Sequence, residues 1–239
     1  MSTPAMGRLE GAVVRLFTKA ATVREITPIE ESFRLVTLRG EALRGVAWSP
    51  GDKVQILLGG WVQRTYTPLS WSDDEVRFLA YAHGDSPASR WVKSLAVGGA
   101  CTLFGPRRSL DLGALERPGL LFGDETSIGL AHALRFTPRG AAGVGVVLEV
   151  TSKAVAAHVI EAMEIGDVEL VERTANDAHL AEVERVIVDR LASRSSASCA
   201  LSGKAPSIQR INRRLREEGL TSRQIRTRAY WAPGKVGLD

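Results

Sequence analysis

The segment Arg64-Thr65-Tyr66-Thr67-Pro68-Leu69 sets a guanidinium and a phenol two residues apart, interleaved with two threonines. On an extended chain this spacing puts Arg64 and Tyr66 on one face and Thr65 and Thr67 on the other. The first face offers a fork of N–H donors that suits a pyrophosphate, and a flat ring that stacks on an aromatic ligand. A second segment runs Tyr81-Ala82-His83-Gly84-Asp85-Ser86-Pro87-Ala88-Ser89-Arg90-Trp91. It reads as a strand ending at His83 and a helix starting after Ser86, with Ser86 as the N-cap and Pro87 at the first helical position. The unpaired amides and positive dipole end of such a helix suit a phosphate. Ala88 and Ser89 are small enough to let a ligand approach the backbone. His83 also fits a core histidine, and Trp91 a core tryptophan.

Three further segments stand where a strand meets a helix or the chain nears its end. Leu121-Phe122-Gly123-Asp124-Glu125-Thr126-Ser127 joins an apolar strand to a helix that Thr126 or Ser127 would cap. Ligands of α/β sheets bind at the carboxyl ends of strands, but the G-x-G-x-x-G fingerprint is missing here. Leu201-Ser202-Gly203-Lys204-Ala205-Pro206 looks like the tail of a P-loop, yet no glycine stands five residues before Gly203, and Pro206 follows, so nucleotide hydrolysis is rejected. Tyr230-Trp231, followed by Gly234, Lys235 and Gly237, puts two aromatic rings at the tip of a last strand, suited to cover a planar cofactor or to anchor the chain end. No metal centre is expected: the only cysteines, Cys101 and Cys199, lie in separate segments and read as buried, inert thiols. No side-chain nucleophile or paired carboxylates stand out as catalytic residues.

The elements that must position these groups fall into two grammars. Up to about residue 112, strands are expected at Arg34–Leu38, Lys53–Leu58, Arg64–Leu69, Glu75–Tyr81 and Ala100–Phe104, with one helix over Ser86–Ala96 and Phe104-Gly105-Pro106 as a closing turn. Short strands broken by Gly and Pro predict an antiparallel barrel. After Pro106 the pattern alternates. Strands are expected at Gly119–Phe122, Val144–Val150, Val168–Val171, Ala197–Leu201 and Ile225–Trp231. Helices are expected at Ser127–Phe136, Ala154–Met163, Leu180–Leu191 and Pro206–Glu218. Strict alternation predicts a parallel sheet with helices on its faces and right-handed crossovers. The polar run Ser193–Ser198 reads as a loop. The two domains are expected over residues 8–113 and 114–239.

Bulk composition narrows the class. With 239 residues, 44% hydrophobic and 24% charged, the chain is an ordinary globular protein. No apolar run reaches the roughly 20 residues needed to span a bilayer, and Met1–Arg8 has no apolar h-region, so neither membrane insertion nor export is expected. The net charge of +4 is uneven: residues 204–239 hold nine Lys or Arg against three acids. A basic end of this kind suits an anionic ligand or partner. Nucleic acid is not expected, because no recognised module accompanies the charge.

Taken in order, Arg-x-Tyr-Thr, His-Gly…Pro-Ala-Ser-x-Trp, Gly-Pro, Gly-Asp-Glu-Thr and a closing Tyr-Trp…Gly resemble the siderophore-interacting proteins, a branch of the ferredoxin–NADP⁺ reductase-like flavoenzymes. The resemblance spans nearly the whole chain. It implies a six-stranded antiparallel FAD-binding β-barrel followed by a Rossmann-like parallel-sheet domain of the NAD(P)-binding type. It implies that Arg64, Thr65, Tyr66, Thr67 and Leu69 hold FAD, with Tyr66 against the isoalloxazine and Arg64 near the phosphates. It adds His83, Gly84, Ser86, Pro87, Ala88, Ser89 and Trp91 to the cradle. Asp124, Thr126, Tyr230 and Trp231 join the cofactor site, and Gly123, Glu125, Gly203 and Lys204 the NAD(P)H side. The implied protein is a cytoplasmic, monomeric oxidoreductase. It takes electrons from NADPH, NADH or a ferredoxin and reduces a ferric siderophore. A reductase component serving a protein acceptor and a flavin-binding redox sensor remain alternative readings. The chain departs from the family pattern at Pro68-Leu69, where a basic or β-branched residue is usual, and at Ser202-Gly203-Lys204, where many members carry Ala-Gly-Glu.

Overall fold

The structure is a computed structural model and describes residues 18–59, 62–110, 112, 118–137, 144–192 and 197–234. The chain divides into two compact units, Met1–Arg108 and Ser109–Asp239. The domain limits placed at residue 8 and at 113–114, the start Met1–Arg8, and Lys235 and Gly237 lie outside the described residues, as does most of the loop 193–198.

The first unit is an antiparallel sheet of seven strands: β1 (Thr18–Glu30), β2 (Phe33–Arg39), β3 (Lys53–Gly59), β4 (Val62–Tyr66), β5 (Pro68–Ser72), β6 (Glu75–Tyr81) and β7 (Ala100–Arg107). One helix, α1 (Pro87–Ser94), lies between β6 and β7. The strand order is β4-β3-β7-β1-β2-β6-β5. The expected single strand Arg64–Leu69 is two strands that part at Thr67. The first limb pairs with β3 at one edge and the second with β6 at the other. A single bent run thereby joins both edges, which accounts for seven strands in the ladder where six are expected. The interior is lined by Val23, Val36, Leu38, Val54, Ile56, Val76, Phe78 and Leu103, none more than 1% exposed. They alternate along their strands, as one buried face requires.

Two further expectations fail in this unit. No strand is expected over Thr18–Glu30, yet β1 is thirteen residues long and pairs with both β2 and β7. Its ladder with β2 is interrupted between Val23 and Glu25 and between Pro28 and Glu30, which scrambles the apolar alternation that would announce a strand. Gly105-Pro106 is not a closing turn: both residues lie within β7, with Gly105 at φ +100°. A Cβ at Gly105 would press on the Lys53 carbonyl of the neighbouring strand, so glycine serves there by conformation and by space.

The second unit is a parallel sheet of five strands, β8 (Pro118–Asp124), β9 (Gly145–Val150), β10 (Val168–Glu172), β11 (Ser198–Lys204) and β12 (Ile225–Trp231), in the order β10-β9-β8-β11-β12. Four helices alternate with them: α2 (Ile128–Leu134), α3 (Lys153–Ala162), α4 (Leu180–Leu191) and α5 (Ala205–Glu217). The strand order reverses between β8 and β11, the kind of switch point where α/β sheets bind ligands. One core runs from Leu120, Phe122, Val147 and Leu201 of the sheet to Val183 and Ile187 of α4 and Ile211 and Leu215 of α5. β11 is longer than expected. Ser202, Gly203 and Lys204 belong to it, and α5 starts at the next residue.

Candidate functional site

In the first unit the ladder sets Tyr66 opposite Val54 and Arg64 opposite Ile56, so both share the side of the sheet that carries the core residues of β3. Tyr66 is half-buried. Its ring lies 4.7 Å from Phe78 and 6.0 Å from Trp91, centroid to centroid, and burial pushes its phenol pKa up. Arg64 donates to the Gln63 carbonyl at 2.7 Å and takes no carboxylate among the described residues. Thr65 pairs with Gln55 in the ladder, Thr67 marks the bend, and Leu69 is buried at 4% exposure.

The helix start has the expected form. Ser86 caps α1 by accepting the Ser89 amide at 3.1 Å, with Pro87 in the first turn. The Ser89 hydroxyl donates to the His83 carbonyl at 2.5 Å, tying the strand end to the helix start. Gly84, at φ +60°, has open space where a Cβ would project. The His83 ring stacks on Tyr81 at 4.9 Å, and Tyr81 stacks on Phe33 at 4.6 Å. Ala88 follows Pro87 in the first turn of α1. The contact between Tyr66 of β4 and Trp91 of α1 therefore brings the two sequence motifs to one place.

In the second unit the expected residues meet at the carboxyl ends of the strands, in a buried ionic network. Asp124 is fully buried, and its Oδ1 accepts the Thr126 amide at 2.9 Å and also the Thr126 hydroxyl. Its Oδ2 accepts the Trp231 indole N–H at 2.7 Å. Burial pushes the Asp124 pKa up to about 6 against these donors. Gly203, at φ +99°, backs onto Asp124: a Cβ there would collide with the carboxylate. A Cβ on Gly123 would collide with Ser127, whose hydroxyl accepts from Ser202 at 2.8 Å. Glu125 is 5% exposed and accepts the Thr151 amide at 2.6 Å and the Arg173 guanidinium at 3.0 and 2.5 Å. Burial pushes the Glu125 carboxyl up, but the hydrogen bonds and charge of Arg173 outweigh it and hold the group below the usual range. Lys204, on the side assigned to NAD(P)H, makes its ion pair with Asp177 at 2.7 Å. Tyr230 is half-buried on β12.

Sequence reasoning missed Arg173, Glu149, His179 and Asp177. Arg173 has three carboxylates within 4.0 Å: Glu125, Asp124 and Glu149. Glu149 and His179 form a fully buried pair at 2.8 Å. The Thr174 amide donates to His179 Nδ1 at 3.2 Å, so Nε2 carries the ring proton and donates it to Glu149. One signal for this network stood in the sequence: Glu149 is the only charged residue of β9, whose six residues are all buried. Both cysteines are buried, with thiol pKa values pushed up by burial to about 11 for Cys101 and about 12 for Cys199. Among the described residues no group of three His, Cys, Asp or Glu side chains is arranged to hold a metal ion. No helix among them is long and apolar enough to cross a membrane.

An antiparallel sheet unit followed by a five-stranded parallel α/β unit is the fold of the ferredoxin reductase-like oxidoreductases. The reductase of carbazole 1,9a-dioxygenase superposes with a TM-score of 0.70 at 20% identity, covering 89% of this chain and 68% of that one. SipS, the siderophore-interacting protein of Aeromonas hydrophila, gives 0.72 at 17% identity over 91% and 92% of the two chains. The siderophore-interacting protein of Acinetobacter baumannii gives 0.71 at 17% identity over 91% of each. Residues 117–234 match the family model described as siderophore-interacting protein. No curated protein matches it.

Proposed function

We propose that the protein is an FAD-dependent reductase that passes electrons from a soluble donor, NAD(P)H or a ferredoxin, to iron(III) held by a siderophore. The observation that carries this reading is the meeting of the Arg64–Tyr66 face with the capped start of α1, through Tyr66 and Trp91. The residues present fit a flavin dinucleotide. Arg64 has no carboxylate partner among the described residues and can bind a pyrophosphate, and Tyr66 offers a ring held by Phe78 and Trp91 for stacking. The first turn of α1 adds backbone donors, and Gly84 leaves room beside it.

FAD held by Arg64, Tyr66 and the first turn of α1 would supply the redox chemistry, since a flavin can exchange one or two electrons. The protein binds and orients. Ser86 and Ser89 fix the strand-to-helix turn that would hold the phosphates, while Phe78 and Trp91 hold the Tyr66 ring in place. The iron chelate is substrate rather than resident metal. Reduction lowers the charge on iron and so weakens its attraction to anionic oxygen ligands. The family-model match over residues 117–234 and the likeness to siderophore-interacting proteins support this choice of substrate.

The test is spectroscopic. The purified protein should carry or take up FAD. After anaerobic reduction by dithionite and removal of the excess, a ferric siderophore should reoxidise it, with iron(II) appearing in a ferrozine trap. Reoxidation no faster than that of free reduced FAD at the same concentration refutes the reductase reading.

A further inference from the structure

The outer face of the first unit holds a hollow that the flavin reading leaves unused. Four strands set one row of side chains side by side. Glu25 of β1 stands opposite Thr37 of β2, Thr37 opposite Arg77 of β6, and Arg77 opposite Ser70 of β5. Their chain neighbours Val36, Leu38, Val76 and Phe78 point into the core, so Thr37 and Arg77 point away from it. The ladder is irregular on both sides of this row. Arg24 is an extra residue of β1 between Val23 and Glu25, and Leu69 an extra residue of β5 between Pro68 and Ser70. Such bulges bend and twist a strand, which gives an otherwise even face its concavity.

The cavity measures about 260 Å³ and is lined by the four residues of the row together with Arg24, Ser72 and Glu75. It is smaller than the roughly 300–1,000 Å³ clefts that take drug-sized ligands, so its occupant is small. None of the lining side chains is apolar. Two of them are already committed: Arg24 donates to Glu75. Outside the cavity wall, Arg39 donates to Asp74 at 3.0 Å. The rest keep their hydrogen-bonding capacity. Among the described residues Arg77, Thr37, Ser70 and Ser72 have no side-chain partner, and Glu25 accepts only the Thr27 hydroxyl, at 3.3 Å. Thr37 is 8% exposed, so a nine-tenths buried side chain lines the hollow with its hydroxyl unpaired.

Glu25 and Arg77 share this cavity and make no ion pair with each other, because β2 runs between their strands. Two strand spacings separate their backbones by about 9–10 Å. That gap accommodates an ammonium on the carboxylate and a carboxylate on the guanidinium, each at charge-assisted hydrogen-bond length, when both belong to one small molecule. A phosphate would meet one free guanidinium against Glu25 and Glu75, and a simple amine would meet Arg77 with nothing to offer it. A molecule carrying both charges is complementary at both ends.

We propose that this hollow is a binding site for a small zwitterion of the α-amino acid class. Its carboxylate is taken by Arg77 with the Thr37 and Ser70 hydroxyls, and its ammonium by Glu25. Every residue of the site lies in the first unit and none belongs to the flavin site, so the inference stands apart from the reductase reading.

Amide NMR spectra of the isotope-labelled full chain provide the test, with each standard L-amino acid added in turn at millimolar concentration. At least one should shift the amides of Thr37, Ser70 and Arg77 saturably. Acetate or methylammonium alone, each supplying one charge, should bind about tenfold or more weakly by comparison. Glu25→Gln and Arg77→Gln should each weaken the binding by about tenfold or more, while flavin content stays at the wild-type level. Both residues are exposed, and the spectra themselves report whether the variants are folded. Three results overturn the proposal: no amino acid giving a saturable shift at these residues, inorganic phosphate binding more tightly than any amino acid, or affinity that survives both substitutions.

Discussion

Replacing Arg173 by Met removes the one cation that three carboxylates share, and its cost follows from the geometry. The Glu125 pair has contacts of 3.0 and 2.5 Å, with side chains 4% and 18% exposed. Breaking a buried pair from one side costs about 3–5 kcal/mol. The partial exposure of Arg173 places the loss near the lower end, at about 3 kcal/mol at pH 8. The loss should depend on pH with a definite sign. In the wild type Glu125 lies below its unfolded pKa of 4.5, so it contributes stability that is present above that value and is lost as pH falls through the folded one. Asp124 behaves oppositely: its pKa rises from 3.8 to about 6, so its contribution is lost as pH rises through that window. A rise of that size corresponds to about 3 kcal/mol. Without Arg173 the support of Glu125 disappears and Asp124 rises further, since the guanidinium 3.9 Å away no longer favours its charge. The Glu125 loss is felt at both pH 5 and pH 8, since both lie above 4.5, and the Asp124 change adds to it as pH rises, so the variant should be weaker than the wild type at pH 5 and weaker still at pH 8. Urea melts at the two pH values, followed by far-ultraviolet circular dichroism, which the helices of the second unit dominate, provide the measurement. A loss under about 1 kcal/mol at pH 8, or one that does not change between pH 5 and 8, would show that the network is not held by this cation.

Three other outcomes are expected. Arg64→Ala should lose most of its bound flavin on gel filtration while its thermal melt stays close to the wild type; unchanged flavin content would remove Arg64 from the proposed site. Trp231→Phe takes the indole donor from Asp124 Oδ2 and should cost about 1–3 kcal/mol, more at pH 8 than at pH 5 because the ionised carboxylate needs the donor more. Gly203→Ala places a methyl group against the Asp124 carboxylate at φ +99° and should destabilise by more than about 1 kcal/mol in the same urea melts, whereas Gly84→Ala meets no neighbour and should show only the backbone strain of about 1 kcal/mol.

The second unit was largely legible because its signals are local. Leu180–Leu191 and Ile225–Trp231 have the expected limits, since apolar period and flanking turns are written within each segment. The Arg64–Tyr66 face was legible for the same reason: period two needs no knowledge of the partner strand. β1 was hidden because its pairing partners are β2 and β7 and its irregular register breaks the alternation. The network around Arg173 was hidden by topology. Residues 124, 125, 149, 173 and 179 come together only because the sheet places β8, β9 and β10 side by side and the loop after β10 folds back to His179. A charge embedded in an apolar strand, as at Glu149, was the clue that a partner had to exist.

The bend at Thr67 gives one short stretch of backbone responsibility for two seams at once. Upstream of it the chain is stitched to β3, and downstream to β6. A proteolytic nick or a flexible insertion there would release both margins together, so the first unit should come apart as a hoop does when its clasp is cut. The same clasp carries Arg64 and Tyr66, so loosening it would spoil ligand retention well before the rest of the unit melted.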